Sequence, residues 1–574
     1  MAQETLGAGV VGARSEAGLM APHREPRCRA IRRRMSVLVR TPGAPGAASW
    51  LMLAAWLTLL PLRAACPQGR ALMTIGSQAE DRLRLDQLVG RDSTDGFLLR
   101  TPSAMTPRLG TVGSKPRLEL LDPELRTVWN SAIPFSLNDG AMWAGRGANL
   151  LLQAGVQVAY GPVEIILAPQ FTYSQNLAFQ VFPGADPARS PFSSPWHVGQ
   201  ASADLPLRFG DQSARLVDLG QSSITLYTGA IAVGAATENQ WWGPGIRNAI
   251  VMSDNAEGVP HLFLRTARPI RTALGMLEAR WIIGGLTESL YFDTSATASG
   301  LRSLSGLVVT LRPGRARNLT LGVSRVVYGQ ARSGDQILSR LFDVVSQYGS
   351  VPGTGDGTST RGRDQLLALF GRWLFLESGL EVYAEWARSE LPRSFRLLLL
   401  DPHRSQGYTL GLQWARPLDT AGAVFRLQAE LTDLEQSIAV AGQVPPPDYY
   451  TGGNTAQGYT QRGKVIGAAI GPGGSSEWLA GDVVAGRWQA GLFVGRIRWE
   501  DDALFRQFST SYYRHDVSLF AGVRGGVRLA RWDVSVAAIA TRRQNYLFQN
   551  SLLTFGGHTV DVSDYTLRLA VAPR

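Results

Sequence analysis

Apolar and polar residues alternate with a period of two along much of the chain beyond about residue 148. Within 149–160, every second residue from Leu150 is apolar, and glutamines occupy two of the intervening positions. Gly161-Pro162 interrupts the run as a tight turn does, and 163–174 resumes it. Because successive strand residues point to opposite faces of a sheet, this pattern predicts two antiparallel strands joined by a short turn.

The same alternation returns in 381–386, 425–432 and 565–571, where polar residues share one face and apolar residues the other. A soluble β-sandwich also alternates, with its apolar face turned inward, whereas a membrane barrel turns that face to lipid. Alternation alone therefore does not separate these two folds.

Three further features favour the membrane barrel. The runs are about ten residues long, as a bilayer crossing requires. Arg and Glu recur on the polar face, which suits a wet lumen. Short breaks also contrast with long polar stretches at 183–221, 330–363 and 443–476. We therefore predict an all-β protein, a large transmembrane antiparallel β-barrel. At roughly 50 residues per hairpin, it would have about 18 strands.

The direction of the strands can be derived from the short turn at 161–162. If this turn is periplasmic, the strand before it runs downward and an upward strand must precede that one. Residues 126–136 are the candidate for this upward strand.

A helix is predicted before the barrel. Residues 77–89 place Leu83, Leu85 and Leu88 near one helical face and predict a small N-terminal helical portion.

The N-terminus has the pattern of a secretory signal. An Arg-rich stretch at 27–40 precedes the apolar run 47–62, and the small residues Ala64 and Ala65 follow it. That run is shorter than the roughly 20 residues of a helical membrane span. We therefore expect three regions, which are an extension with signal peptide (1–65), a partly helical periplasmic or plug segment (66–125) and the barrel (126–574).

Composition excludes several classes of function. Residues 1–65 hold nine Arg and three acidic residues, so they account for six of the eleven net positive charges. The remainder has no cluster of basic residues interleaved with aromatics, so we expect no nucleic-acid partner. Both cysteines, Cys28 and Cys66, lie near the N-terminus, which excludes a disulfide scaffold and a Cys-ligated zinc site in the barrel. We expect no metal and no cofactor.

The densest motif is Glu-Asn-Gln-Trp-Trp-Gly-Pro-Gly, which begins at Glu238 and continues through Arg247 and Asn248. Sugar rings stack on aromatic planes, and Arg or Asn side chains hydrogen-bond hydroxyl and acidic groups, so this pattern is compatible with glycan binding. The alternative is that Trp241 and Trp242 pack the lumen or belong to an interfacial aromatic girdle.

This motif resembles the signature of the capsule-assembly Wzi family, including its downstream Asp254-Asn255 and Pro260-His261. Three more segments follow the family pattern. They are 458–467 (GYTQRGKVIG) with Gly471-Pro472, the strand pair 381–388 and 429–437, and the Asn138-Asp139-Gly140 through Gly145-Arg146-Gly147 stretch. Together the four span residues 138–472.

The resemblance implies an outer-membrane lectin of a Gram-negative-type bacterium, which anchors capsular or another surface polysaccharide and is not an enzyme. Its partners would be this polysaccharide and outer-membrane lipid, whereas its oligomeric state is not predicted. A diffusion channel resembling a porin is the alternative function. The candidate polysaccharide-binding residues are Trp241, Trp242, Arg247, Asn248, Glu238, Tyr459 and Arg462.

Enzymatic alternatives find little support in the residues. Glu381 and Glu385 share one strand face but lie about 13 Å apart at roughly 3.3 Å per residue. Paired glycosidase carboxylates lie about 5–9.5 Å apart. None of the histidines lies in a nucleophile motif of a serine hydrolase. We therefore expect no catalytic residues.

Overall fold

The computed structural model describes residues 70–573 except 93–96, 110–114, 183–185, 295–299, 347–361, 390, 392–394, 401, 419–421, 437–448, 509–513 and 550–559. Eighteen antiparallel strands in this part of the chain close into one barrel, which confirms the predicted fold class and strand number. The signal peptide predicted in 1–65 lies outside the described residues.

The strands follow the order of the chain around the barrel. They are β1 (Arg117–Asn130), β2 (Gly147–Tyr160), β3 (Val163–Leu167 and Gln170–Ser174), β4 (Ala214–Asp218 and Ser223–Thr228), β5 (Ile231–Ala236), β6 (His261–Thr266, with Ile270–Arg271), β7 (Gly275–Leu286), β8 (Arg302–Pro313), β9 (Leu319–Gln330), β10 (Arg363–Phe375), β11 (Leu380–Arg388), β12 (Gln406–Pro417), β13 (Val424–Asp433), β14 (Ser475–Ala485), β15 (Trp488–Trp499), β16 (Asp516–Arg528), β17 (Trp532–Gln544) and β18 (Val562–Pro573). The last strand pairs with the first, with Leu125 opposite Val571, and closes the barrel.

The first strand begins earlier than the sequence pattern suggested. It starts at Arg117, so the boundary expected at 126 between the N-terminal segment and the barrel falls inside β1. Its register with β2 shifts between Leu121 and Glu124. Pro123 lies within this bulge, where its missing amide hydrogen costs no ladder hydrogen bond. The alternation is broken there, which hid the first half of the strand.

Side chains on the wall alternate as a membrane barrel requires. On β13, Arg426, Gln428 and Glu430 are buried inside, whereas Leu431 faces outward and is exposed. On β11, Glu381 and Glu385 likewise face the lumen and are fully buried. Apolar residues therefore cover the outer surface and polar residues line the inside.

Connections of two lengths alternate at the two ends of the barrel. One end has short turns such as 161–162 and 486–487, and the other has long connections such as 175–213, 331–362 and 434–474. Outer-membrane barrels place short turns in the periplasm and long loops outside the cell. We refer to these as the periplasmic and extracellular ends.

Short helices accompany the strands. They are α1 (Gln78–Leu88), α2 (Pro102–Met105), α3 (Gly334–Ser339), α4 (Phe395–Leu400) and α5 (Asp501–Phe508). No helix among the described residues has the length and hydropathy of a membrane span. The predicted helix 77–89 is confirmed as α1, with Ser77 as its N-cap accepting from the Glu80 amide.

Helix α1 lies inside the barrel and is fixed to the wall by ion pairs. Arg426 of β13 donates to both carboxylate oxygens of Asp81, at 2.7 and 2.8 Å, and also pairs with Asp482 of β14. Arg84 donates to Glu381 of β11 through its Nε at 3.0 Å. Buried charges require such partners, so α1 is held by specific contacts within the lumen.

The largest apolar core also lies inside the barrel. It joins wall residues such as Phe263 and Val308 to residues of two connections, among them Trp242, Ile250 and Tyr459. The lumen is therefore packed with protein in this region.

Candidate functional site

The connection 237–260 follows β5, which ends at Ala236, and packs into the lumen core through Trp242 and Ile250. Its Gly-Pro-Gly turn requires glycine, since a Cβ on Gly245 would lie 1.8 Å from the carbonyl oxygen of Asn248. Gly243 adopts a φ of +124°, which side chains disfavour. The geometry of the turn thus depends on the absence of side chains at Gly243 and Gly245.

Two glutamates on the barrel wall hold this turn. Glu430 accepts hydrogen bonds from the main-chain amides of Ile246 (2.6 Å), Arg247 (3.0 Å) and Asn248 (2.8 Å). Glu385 accepts from the amide of Ile250 at 3.2 Å. Carboxylates bound to main-chain amides are strong acceptors, so these residues position the turn.

The segment 458–467 packs directly against the same connection. The hydroxyl of Tyr459 donates to the carbonyl of Val251 at 2.9 Å. The side-chain amide of Asn255 donates to the carbonyl of Val465 at 2.9 Å. Residues more than 200 positions apart therefore form one continuous body inside the barrel.

The Asn138-Asp139-Gly140 stretch completes the arrangement. Asn138 donates through Nδ2 to the carbonyl of Arg247 at 2.7 Å, and the Gly140 amide donates to the carbonyl of Asp254 at 2.8 Å. Lys464 donates to the carbonyl of Gly140 at 2.8 Å, and burial lowers the pKa of Lys464 to about 8. All four segments that resemble the family signature thus meet in the lumen.

Five of the seven candidate binding residues are buried in this body. Trp242 is fully buried and donates through Nε1 to Gln240 at 3.1 Å, whereas the guanidinium of Arg100 lies 4.8 Å from the ring centroid of Trp241. Glu238 pairs with Arg280 of β7 at 3.0 Å. The others are Asn248 and Tyr459. In the structure, Trp241 and Trp242 therefore pack the lumen, which is one of the alternatives to glycan contact given above.

The side chains of the two remaining candidates are not buried in this body. Arg462 belongs to a connection of the extracellular end, has 43% of its side chain accessible, and pairs with Glu257 at 2.9 Å. Burial raises the pKa of Glu257 to about 7 despite this partner. Arg247 faces a cavity in the lumen, where its guanidinium lies 5.4 Å from the ring centroid of Trp478.

A cluster of half-buried aromatic rings lies next to Arg462 and was not found from the sequence. We call Trp143, Phe192, Phe209 and Tyr291 the aromatic cluster. Ring centroids are 4.8 Å apart for Trp143 and Phe209, 5.9 Å for Phe209 and Tyr291, and 5.8 Å for Phe192 and Tyr291. The ring of Phe209 lies against Gly463, the residue after Arg462. The rings come from three connections, so no local pattern indicated them.

Three carboxylates on the inner face of the wall, Glu381, Glu385 and Glu430, are engaged by other groups of the protein. Glu381 is occupied by Arg84 and by Arg372, the latter at 2.9 Å. Glu385 and Glu430 bind main-chain amides instead. No three His, Cys, Asp or Glu side chains within the described part of the chain are grouped so that they could hold a metal ion.

A closed barrel with an apolar outer face, a polar inner face and long connections at one end defines an outer-membrane β-barrel protein. A model of the capsule assembly protein Wzi family matches residues 134–480, more than half of the chain. The chain therefore belongs to the Wzi family and is a protein of the Gram-negative outer membrane.

The comparison with solved structures found matches at low sequence identity. The Escherichia coli protein Wzi, described as a carbohydrate-binding β-barrel of the outer membrane involved in group 1 capsule assembly, is 11% identical. The match covers 78% of this chain and 84% of that chain, with a TM-score of 0.48. Pseudomonas aeruginosa OccK2 (OpdF) is 12% identical over 79% of this chain and 97% of that chain, with a TM-score of 0.35. OccK7 (OpdD) of the same organism is 9% identical over 79% and 98%, with a TM-score of 0.36. No curated protein matches the sequence significantly.

Proposed function

We propose that this protein binds capsular or another surface polysaccharide at the extracellular end of the barrel and anchors it to the cell, without catalysing a reaction. Membership of the capsule-assembly family supports this role. The observation that carries the proposal is the aromatic cluster beside the exposed Arg462, since stacking planes next to a cation suit a hydrated and often acidic polymer.

Six of the seven candidate residues would then divide by role. Arg462 would contact the polymer directly together with the aromatic cluster. Trp241, Trp242, Glu238, Asn248 and Tyr459 would hold the connections in place, because they are buried. One long polymer would bind many barrels at once, so that binding sites of low affinity would together retain it firmly at the cell surface.

The test is the partition of polysaccharide between cells and medium. A strain lacking the gene should make normal amounts of polymer but release it into the medium, and the parent protein should restore retention. A variant combining Phe192→Ala, Phe209→Ala, Tyr291→Ala and Arg462→Gln should assemble in the outer membrane and fail to restore it.

Arg542→Gln is the matched control, because Arg542 is 52% exposed on the outer wall near the same end and lies outside the cluster. This variant should retain polymer like the parent. Retention of polymer in the strain lacking the gene would refute the anchoring role altogether. Full retention by the assembled cluster variant would refute the assignment of the surface.

A further inference from the structure

Part of the extracellular connection 331–362 folds down over the outside of the barrel wall. We call residues 337–346, at the end of α3 and directly after it, the outer segment. Ile337 lies against Gly285 near the extracellular end of β7, where a Cβ would be 3.1 Å from its Cδ1. The ring centroid of Phe342 lies 5.1 Å from that of Trp281, further down the same strand. Trp281 precedes the end of β7 by five residues, or about 16 Å at roughly 3.3 Å per residue.

The wall residues beneath the outer segment point away from the lumen. Val326 and Leu304 belong to the lumen core. Because successive strand residues point to opposite faces, their neighbours Arg325 on β9 and Ser305 on β8 face outward. The same alternation places Trp281 outside. The outer segment therefore covers polar groups of the wall that would otherwise face the bilayer.

The main chain of the outer segment is hydrogen-bonded to this wall. Arg325 donates to the carbonyls of Val344 and Ser346, both at 2.8 Å. The hydroxyl of Ser305 donates to the carbonyl of Leu341 at 2.8 Å. Five main-chain amides of the segment donate to carbonyls three residues earlier, and they are those of Arg340, Leu341, Asp343, Val345 and Ser346.

The opposite face of the outer segment is apolar. Leu338, Phe342 and Val345 are 53%, 60% and 57% exposed. The carboxylate of Asp343 instead turns inward and pairs with Arg363 of β10. A connection surrounded by water presents polar side chains outward and buries apolar ones, because burial removes apolar surface from water. The polarity of the outer segment is the reverse of this.

The neighbouring wall is apolar at a similar distance from the extracellular ends of the strands. Leu431 of β13 and Leu479 of β14 are exposed and lie two and four residues from those ends. Below the outer segment, the exposed surface continues through Val323 of β9. Since the apolar band of such a barrel faces lipid, the outer segment extends the lipid-facing surface of the wall.

We infer that the outer segment lies in the outer leaflet of the membrane, held to the wall by Arg325, with Leu338, Phe342 and Val345 among the lipid acyl chains. Acyl chains offer no hydrogen bonds, so a connection can enter them only where its main chain is bonded to protein. The hydrogen bonds to the wall and within the segment meet this condition. The extracellular connection 331–362 is thereby tied to the membrane surface. This inference goes beyond polysaccharide binding and does not depend on it.

The test is the accessibility of a spin label on the full-length protein in phosphatidylcholine vesicles. A nitroxide is attached to Phe342→Cys in a chain that also carries Cys28→Ser and Cys66→Ser. Its collisions with oxygen, which concentrates in lipid, are compared with its collisions with a water-soluble nickel chelate. Leu321→Cys, on the exposed outer face of β9, is the control for lipid. Asp335→Cys, exposed in the first turn of α3, is the control for water.

The ratio of oxygen to nickel collisions distinguishes three surroundings. At Phe342→Cys we expect a ratio close to that at Leu321→Cys and at least threefold above that at Asp335→Cys. A ratio like that at Asp335→Cys would show water around the segment and overturn the inference. Few collisions with either reagent would show that protein covers the segment, such as a second copy of the chain, and would also overturn it. Leu338→Cys and Val345→Cys test the same face if Phe342→Cys fails to assemble.

A second variant tests how the outer segment is held. Arg325→Leu removes the donors to the carbonyls of Val344 and Ser346, so the label at Phe342→Cys should become more mobile and its spectral lines narrower. Arg496→Leu is the matched control, because Arg496 pairs with Glu477 on the wall at β14 and β15, away from the segment. It should leave the spectrum unchanged. An unchanged spectrum in Arg325→Leu would refute the attachment of the segment through Arg325.

Discussion

Glu430 accepts a hydrogen bond from the main-chain amide of Arg247 at 3.0 Å, although 183 positions separate them in the chain. The same carboxylate receives the amides on both sides of Arg247 and the hydroxyl of Tyr383 at 2.7 Å. A turn that leaves a strand inside a barrel has no sheet partner for these amides. The carboxylate of Glu430 therefore accepts the main-chain hydrogen bonds that a neighbouring strand would accept in a sheet.

Removing this carboxylate should loosen the turn. Glu430→Ala leaves three main-chain amides without their acceptor. Each buried group that stays unsatisfied lowers the free energy of unfolding by about 1–3 kcal/mol. Glu430→Gln keeps an acceptor but loses the charge, so the loss should be smaller. Thermal unfolding of the purified barrel measures both. Glu477→Gln, on the outer wall, is the control and should unfold like the parent. Equal unfolding temperatures for Glu430→Ala and the parent would contradict the anchoring role of Glu430.

Trp242 should contribute to stability rather than contact polysaccharide. It is fully buried in the lumen core, and truncation of buried aromatic residues costs about 3–5 kcal/mol. Trp242→Ala should therefore lower the unfolding temperature, whereas the variant of the aromatic cluster and Arg462 should lower polymer retention although it still assembles in the outer membrane. A Trp242→Ala protein that unfolds like the parent but releases polymer would reverse this division.

The sequence predicted the features that depend on local pattern. Strand alternation placed Glu381, Glu385 and Glu430 on the inner face, and the spacing of leucines predicted α1. It could not show what the inner face contacts, because Glu430 meets Arg247 only after the barrel closes. The burial of Trp241 and Trp242 and the assembly of the aromatic cluster from three connections likewise depend on long-range packing. The local periodicity of the sequence carries no information about such long-range packing.

The filled lumen predicts a low conductance. Barrels of 16–18 strands with open lumens carry an aqueous channel, but here α1 and the connections 237–260 and 449–470 occupy the interior. In planar bilayers the parent protein should show no steady large conductance. Asp81→Ala combined with Arg84→Ala removes the ion pairs of α1 with Arg426 and Glu381 of the wall and should add brief openings. A steady large current through the parent would favour the diffusion-channel alternative.

Four buried or partly buried carboxyl groups in the connections should make stability depend on pH. Burial raises the pKa of Asp254 and Glu257 to about 7, of Glu435 to about 7 and of Asp502 to about 8. In the folded protein, each of these carboxyl groups keeps its proton at a pH where the same group in the unfolded chain has released it. These groups therefore contribute fully to the free energy of unfolding below about pH 4, and their contribution is lost as the pH rises to about 8.

Asp254 provides the cleanest test of this dependence. Arg126 and Arg100 lower its pKa and Glu80 and Asp139 raise it, but burial dominates and holds it near 7. One pKa unit corresponds to about 1.4 kcal/mol, so the shift from 3.8 contributes at most roughly 4 kcal/mol. The protein should unfold at a lower temperature at pH 8 than at pH 5. Asp254→Asn, which cannot ionise, should reduce this difference, whereas Glu477→Gln should not. A difference that is unchanged in Asp254→Asn would show that Asp254 is not protonated in the folded barrel at pH 5.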